Sequence, residues 1–154
     1  MPSRGTPITI LMADDDEEDC ALTKEAMSDA RLANEMRFVS DGEELMDYLY
    51  KRGKYGNGNE APRPGVILLD LNMPKKDGRE ALAEIKSDPD LRRIPVCVLT
   101  TSSDEEDIFR TYDLGVNSFM TKPVTFAGLV EVLQTWSRYW FEVVDLPNGV
   151  DGDE

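Results

Sequence analysis

Five short runs of branched apolar residues, each followed by a polar turn and then by a stretch of helical spacing, constrain this chain more than any other feature. The runs cover residues 8–12, 36–39, 66–69, 96–99 and 118–120, and the first, third and fourth are nearly all apolar. Continuous apolar runs of this length suit strands buried on both faces of a parallel sheet. The intervening segments, at about 17–30, 42–51, 78–86, 105–114 and 125–141, carry apolar residues three and four apart, the spacing of surface helices with one buried stripe. Such alternation, with right-handed crossovers, predicts an open α/β sandwich whose ligand site lies at the carboxyl ends of the strands.

Composition narrows the chemistry. The 154 residues suit one domain, and 40% hydrophobic residues suffice for a packed core. Asp and Glu number 31 against 17 Lys and Arg, a net charge of -14, which argues against nucleic acid and anionic membrane surfaces as partners. There is no histidine, so Ser-His-Asp and Cys-His nucleophile systems and His-based zinc sites are excluded. Cys20 and Cys97 form no C-x-x-C pair and read as small, reduced, core-like residues. No apolar run approaches the roughly 20 residues of a membrane span, so a soluble cytoplasmic protein is expected. Residues 1–7 read as an N-terminal extension, 8–146 as the folded domain and 147–154 as an acidic, flexible tail. Residues 53–65 read as a long surface loop, whose glycines lack the following helix and G-K-[ST] of a phosphate-binding loop.

The strand ends carry the reactive groups. After the first run comes Asp14-Asp15-Asp16-Glu17-Glu18-Asp19; after the third, Asp70-Leu71-Asn72-Met73-Pro74, then Asp77-Gly78; after the fourth, Thr100-Thr101-Ser102; after the fifth, Lys122-Pro123. In an α/β sandwich all of these converge on one rim. Carboxylates crowded there repel one another by a few kcal/mol per close pair at an effective dielectric near 20. A hard divalent cation removes that cost, and with oxygen ligands alone Mg²⁺ or Mn²⁺ is the expected ion. One carboxylate beside a metal, a lysine and a hydroxyl makes a coherent phosphoryl-transfer site. Asp70 is then the nucleophile, with Lys122 offsetting charge and Thr100 donating a hydrogen bond to the transferred group.

These residues resemble, at matching positions over about 8–136, the receiver domain of two-component response regulators of the chemotaxis type. The resemblance implies a flavodoxin-like, doubly wound, five-stranded parallel sheet of order 2-1-3-4-5 with five flanking helices. It implies Asp14 and Asp15 as the acidic pair, Asp70 as phosphoacceptor, the Asn72 backbone carbonyl as a further metal ligand, Thr100 as switch hydroxyl and Lys122 as the site lysine. It also implies a histidine kinase as partner and signalling through protein contacts rather than enzymatic turnover of other substrates. Within the family, the long loop after the second helix, the T-T-S run and the aromatic stretch from Trp136 onward are similar to single-domain regulators that accompany bacterial phytochrome kinases. Phe119 stands where tyrosine is frequent, keeping the ring of a second switch position without its hydroxyl. Thr101 stands where a smaller residue is frequent and would narrow access to Asp70.

Competing readings apply to several positions. Asp16 to Asp19 equally suit a capped, solvated helix start, and Asp77-Gly78 reads mainly as a turn entering a helix. Trp136, Tyr139, Trp140 and Phe141 spread over more than one helical face, so they are expected to be exposed and to form a homodimer interface. A different class, the haloacid-dehalogenase-like phosphatases, would use Asp14 as nucleophile and Asp16 as acid/base, but it needs an acidic motif after the lysine that Lys122-Pro123 does not lead into. A receiver-like module that is never phosphorylated is a third reading, against which the intact acidic pair, Asp70, Thr100 and Lys122 count.

Overall fold

In the computed structural model, which describes residues 8–28, 35–56 and 60–140, five parallel strands alternate with five helices. The strands are β1 (Thr9–Ala13), β2 (Glu35–Val39), β3 (Val66–Leu69), β4 (Val96–Thr100) and β5 (Ser118–Thr121). The helices are α1 (Glu17–Ser28), α2 (Gly42–Tyr50), α3 (Gly78–Ser87), α4 (Glu105–Leu114) and α5 (Phe126–Arg138). Every pairing is parallel, as the strand-helix rhythm predicts, and the sheet order is β2-β1-β3-β4-β5, as the receiver resemblance implies. The chain steps one way from β1 to β2 and the other way from there to β3, so the switch in direction lies at the carboxyl end of β1, beside β3.

Because successive strand residues point to opposite faces, the apolar runs feed two cores at once. Leu11 and Ala13, Ile67 and Leu69, and Val96 and Val98 face α2 and α3, where Leu45, Met46, Leu82 and Ile85 cover them. Ile10 and Met12, Val66 and Leu68, and Cys97 and Leu99 face α1 and α5, where Leu22, Leu129 and Leu133 cover them. Each fully buried Leu or Ile contributes roughly 1.5–3 kcal/mol of transfer free energy, so the three central strands dominate the stability. The helices start where short polar side chains satisfy their free N–H groups. Asp41 Oδ1 accepts from Glu44 N at 2.7 Å, and Thr125 Oγ1 from Gly128 N at 3.0 Å. α4 ends at Gly115, whose φ of 109° closes the helix in the left-handed region.

Three expectations change. β1 begins one residue later than its apolar run and includes Ala13, while β4 and β5 extend to Thr100 and Thr121. The loop at 53–65 contains a 3₁₀ turn, Gly53–Tyr55, pinned by Tyr55 Oη donating to Glu44 Oε2 at 2.7 Å. Trp136 and Trp140, expected on the surface, are buried at 5% and 6% exposure in the core beside Cys97 and Leu99. The reason is spacing. Leu129, Leu133, Trp136 and Trp140 step by four, three and four residues, which is one helical stripe and not several faces. Of the three predicted interface residues only Tyr139 is exposed, at 54%. Phe141, the extension at 1–7, the domain end at 146 and the tail at 147–154 lie outside the described residues. Among the described residues, no helix is long and apolar enough to cross a membrane.

Candidate functional site

The rim residues are held by the sheet itself. The ladder runs one hydrogen bond past the strands: Asp14 N donates to Val39 O at 3.0 Å, Asp70 N to Ala13 O at 2.9 Å and Lys122 N to Thr100 O at 2.7 Å. The backbones of Asp14, Asp70 and Lys122 are therefore fixed by the strands next to their own, and their side chains converge above β1, β3 and β4. Gly78 lets α3 begin directly under this rim. A Cβ there would stand 2.4 Å from the Asp70 carbonyl oxygen and 2.7 Å from Leu71 Cα, so the Asp77-Gly78 turn is a packing requirement of the site.

Lys122 is the centre of the cluster. Its ammonium lies 2.8 Å from Asp14 Oδ2, 2.7 Å from Asp19 Oδ2 and 3.4 Å from Asp70 Oδ2. Burial works against its charge, but the bonds to Asp14 and Asp19 and the nearby Asp70 outweigh it and hold the lysine above its ordinary value. Burial pushes the Asp14 carboxyl up to about 6, opposed by Lys122 and the Asp16 N–H and helped by the charge of Asp70. Such a carboxylate gains from any further cation. Asp14, Asp15 and Asp70 each offer an oxygen, all within 4.8 Å of one another, and Asp15 is exposed to admit an ion from solvent. An all-oxygen donor set of this size fits a hard divalent cation.

The hydroxyl lies on the other side of Asp70. Thr100 is fully buried, and its Oγ1 receives long contacts from Asn72 Nδ2 at 3.5 Å and Ser102 N at 3.4 Å. Asn72 also donates its N–H to Asp70 Oδ1 at 3.3 Å, which brings its own backbone to the rim. Thr101 is exposed. Phe119 is partly buried against the α2-α3 core, pairs with Val98 in the sheet and donates its N–H to Tyr112 Oη at 3.1 Å. The sheet thus brings together Asp14, Asp15, Asp70, Asn72, Thr100 and Lys122. Phe119 stands on the neighbouring edge strand, and Trp136 and Trp140 belong to the core on the opposite face.

Four groups at or beside this rim, Asp19, Arg79, Asp107 and Cys20, were not read from the sequence as site residues. Asp19 lies in the acid-rich first turn of α1, where Asp16 Oδ1 caps the helix by accepting from Glu18 N at 3.0 Å and Asp19 N at 3.2 Å. Helix starts favour acids without any further role, so Asp19 gave no separate signal. Arg79 did give one. A cation in the first turn of α3 faces the positive end of the helix dipole and needs carboxylate partners, which are Asp77 at 3.1 Å and Asp107 at 2.6 Å. Asp107 was hidden among the acids at the start of α4. Cys20 donates its thiol to Asp14 O at 3.6 Å, and burial pushes that thiol up to about 12, which makes it an unreactive neighbour.

Comparison with known proteins agrees with this fold. Residues 10–134 match the response regulator receiver domain model. The chain is 45% identical over 141 residues to response regulator Rcp1 of a Synechocystis species, covering 92% of this chain and 94% of that protein. The crystal structure of the phosphorylated cyanobacterial phytochrome response regulator RcpA superposes with a TM-score of 0.87 at 45% identity, covering 93% of this chain and all (100%) of that one. The Mn²⁺-bound form of Rcp1 gives the same TM-score of 0.87 at 45% identity, over 92% of this chain and 99% of that one.

Proposed function

The chain belongs to the response regulator receiver family, and from that premise we propose that it is a phosphoacceptor switch in which Asp70 takes a phosphoryl group from the phosphohistidine of a histidine kinase. One Asp70 carboxylate oxygen bonds to phosphorus as the P–N bond to the imidazole breaks, and that electron pair leaves with the ring nitrogen. The observation that carries this reading is the Lys122 ammonium, which lies against both Asp14 and Asp70 and so stands ready to offset charge on a group arriving at Asp70. Asp14, Asp15, Asp70 and the Asn72 carbonyl are the proposed ligands of Mg²⁺ or Mn²⁺, which when bound neutralises charge on the transferring phosphoryl oxygens. Thr100 donates its hydroxyl to the transferred group, and Phe119, on the adjacent strand, follows its movement. No reaction beyond the protein's own phosphorylation and dephosphorylation is proposed.

Its likeness to RcpA supports a bacterial phytochrome kinase as the partner. Output through protein contact, including a homodimer, is supported by the large apolar side chains exposed on α4 and at and after α5, among them Phe109 at 74%, Phe126 at 61% and Tyr139 at 54%. Sedimentation of the wild type and Tyr139→Ala, with and without beryllofluoride, tests the dimer, which a monomer under every condition would rule out. The central proposal is tested by intact mass after incubation with acetyl phosphate and Mg²⁺. One added phosphoryl group is expected for the wild type and none for Asp70→Asn or with the metal chelated; an equal gain by Asp70→Asn would contradict it.

A further inference from the structure

An ion pair that the phosphoryl chemistry does not use ties the Thr100 loop to the body of the domain. Arg79 in α3 grips Asp107 in α4 with two prongs, Nε to Oδ1 at 2.7 Å and Nη2 to Oδ2 at 2.6 Å. Asp107 Oδ2 also accepts from Ser102 Oγ at 2.8 Å, and the Ser102 N–H points at Thr100 Oγ1 from 3.4 Å. On the other side, Arg79 Nη1 lies 3.4 Å from Asn72 Oδ1, and Asn72 Nδ2 lies 3.5 Å from Thr100 Oγ1. Thr100, Ser102, Asp107, Arg79 and Asn72 therefore close a ring of polar contacts. Its strength is unequal. The charged, bidentate Arg79–Asp107 link and the Ser102–Asp107 bond are short, whereas both contacts to Thr100 are at the long limit.

This ring has a direction built into it. Among the described residues no hydrogen bond joins Thr100 to Asp70; Thr100 Oγ1 accepts from Asn72 and Ser102 instead, and on the phosphoacceptor reading Thr100 moves toward a phosphoryl group at Asp70. Such a movement breaks two weak contacts, which costs little, but it also displaces the loop through Ser102, and Ser102 is anchored by the strong half of the ring. We propose that Arg79 and Asp107 are positioning residues for phosphoryl capture: their ion pair holds the loop carrying Ser102, and through it Thr100, in the resting arrangement, and so lowers the affinity of the site for a phosphoryl group. Arg79 and Asp107 stay outside the reacting atoms. They act on Thr100 through the loop that connects β4 to α4.

This inference rests on the phosphoacceptor reading, and its test separates the two. Beryllofluoride, a phosphoryl mimic, is titrated by calorimetry with Mg²⁺ into the wild type, Arg79→Ala, the nearly isosteric Asp107→Asn, and the double variant. Each single variant is expected to bind the mimic about threefold to tenfold more tightly than the wild type. The double variant is expected to gain no more than either single one, because both remove the same link. Mg²⁺ affinity, measured alone, is expected to stay within a factor of about two throughout, since the clustered carboxylates Asp14, Asp15 and Asp70 lie outside the ring and Asn72 enters it only through its side-chain amide, not its backbone carbonyl; a change in Mg²⁺ affinity in step with the mimic, in either direction, would mean a general disturbance and overturn the proposal. Unchanged or weaker mimic binding in the single variants, or additive gains, overturns the latch while leaving the phosphoacceptor reading intact. A wild type that binds no beryllofluoride overturns both.

Discussion

Lys122 holds together three carboxylates that would otherwise repel, and this balance is the most exposed point of the site to substitution. Replacing Lys122 with Met leaves Asp14 and Asp19 without the cation they bond, and removing one partner of a buried pair costs about 3 kcal/mol or more. Urea denaturation without metal is expected to show that loss, and Mg²⁺ is expected to stabilise Lys122→Met more than the wild type because the ion takes over part of the lysine's work. The acidic run also divides into roles. Asp15→Asn is expected to weaken Mg²⁺ binding by about tenfold or more, since it removes one of the clustered oxygens. Asp16→Asn is expected to leave it within a factor of about two, because Asp16 is occupied in capping α1. A metal titration in which the two variants behave alike would contradict the division. Asp14, Asp70 and Thr100 were legible in the sequence because each stands at the end of a nearly all-apolar run that suits a buried strand, and Lys122 because it follows the fifth strand of the same rhythm. Asp19 and Asp107 were not, because acids at helix starts need no partner at all, and Arg79 signalled a need for carboxylates but not that Asp107 on another helix supplies one.

At the scale of elements, the strands were legible and the faces of the last helix were not. A run such as Val66 to Leu69 has one physical solution, a strand covered on both sides, whereas the aromatic end of the chain required the stripe through Leu129, Leu133, Trp136 and Trp140 to be traced residue by residue. Trp140→Ala is therefore expected to cost about 3–5 kcal/mol by chemical denaturation, the penalty of a core cavity. A loss within about 0.5 kcal/mol, the range of surface substitutions, would contradict its burial. The turn after α2 was read as plain loop, yet Glu44 on α2 fastens it through Lys54 at 2.8 Å and Tyr55 at 2.7 Å, and also accepts from Ser40 N at 2.9 Å. Partial burial opposes its charge, but those partners outweigh it and hold the carboxyl at about 2 instead of 4.5. With the folded value below the unfolded one, the carboxylate's contribution is complete above about 4.5 and is lost as the pH falls through about 2. Glu44→Gln is expected to be less stable than the wild type at neutral pH by about 1–2 kcal/mol, allowing for solvent screening, with the gap closing between pH 4.5 and 2. A gap independent of pH would contradict the assignment.

For the whole molecule, the order β2-β1-β3-β4-β5 explains why groups as distant in sequence as Asp14, Asp70, Thr100 and Lys122 meet. The central strands β1, β3 and β4 are adjacent, and β5 brings Lys122 over the edge to them. The two tryptophans lie in the α1-α5 core, on the face of the sheet opposite the one against which Phe119 packs. The alternation of apolar runs made the parallel, helix-flanked sheet legible; the strand order was legible only through the family resemblance. The central claim is that Asp70, and not Asp14, receives the phosphoryl group, and borohydride trapping tests it most directly. Reduction of an acyl phosphate converts the modified aspartate to homoserine, which peptide mapping locates. After acetyl phosphate and Mg²⁺, homoserine is expected at position 70 alone and is expected to disappear when the metal is chelated. Homoserine at position 14, or at neither position, would contradict the account.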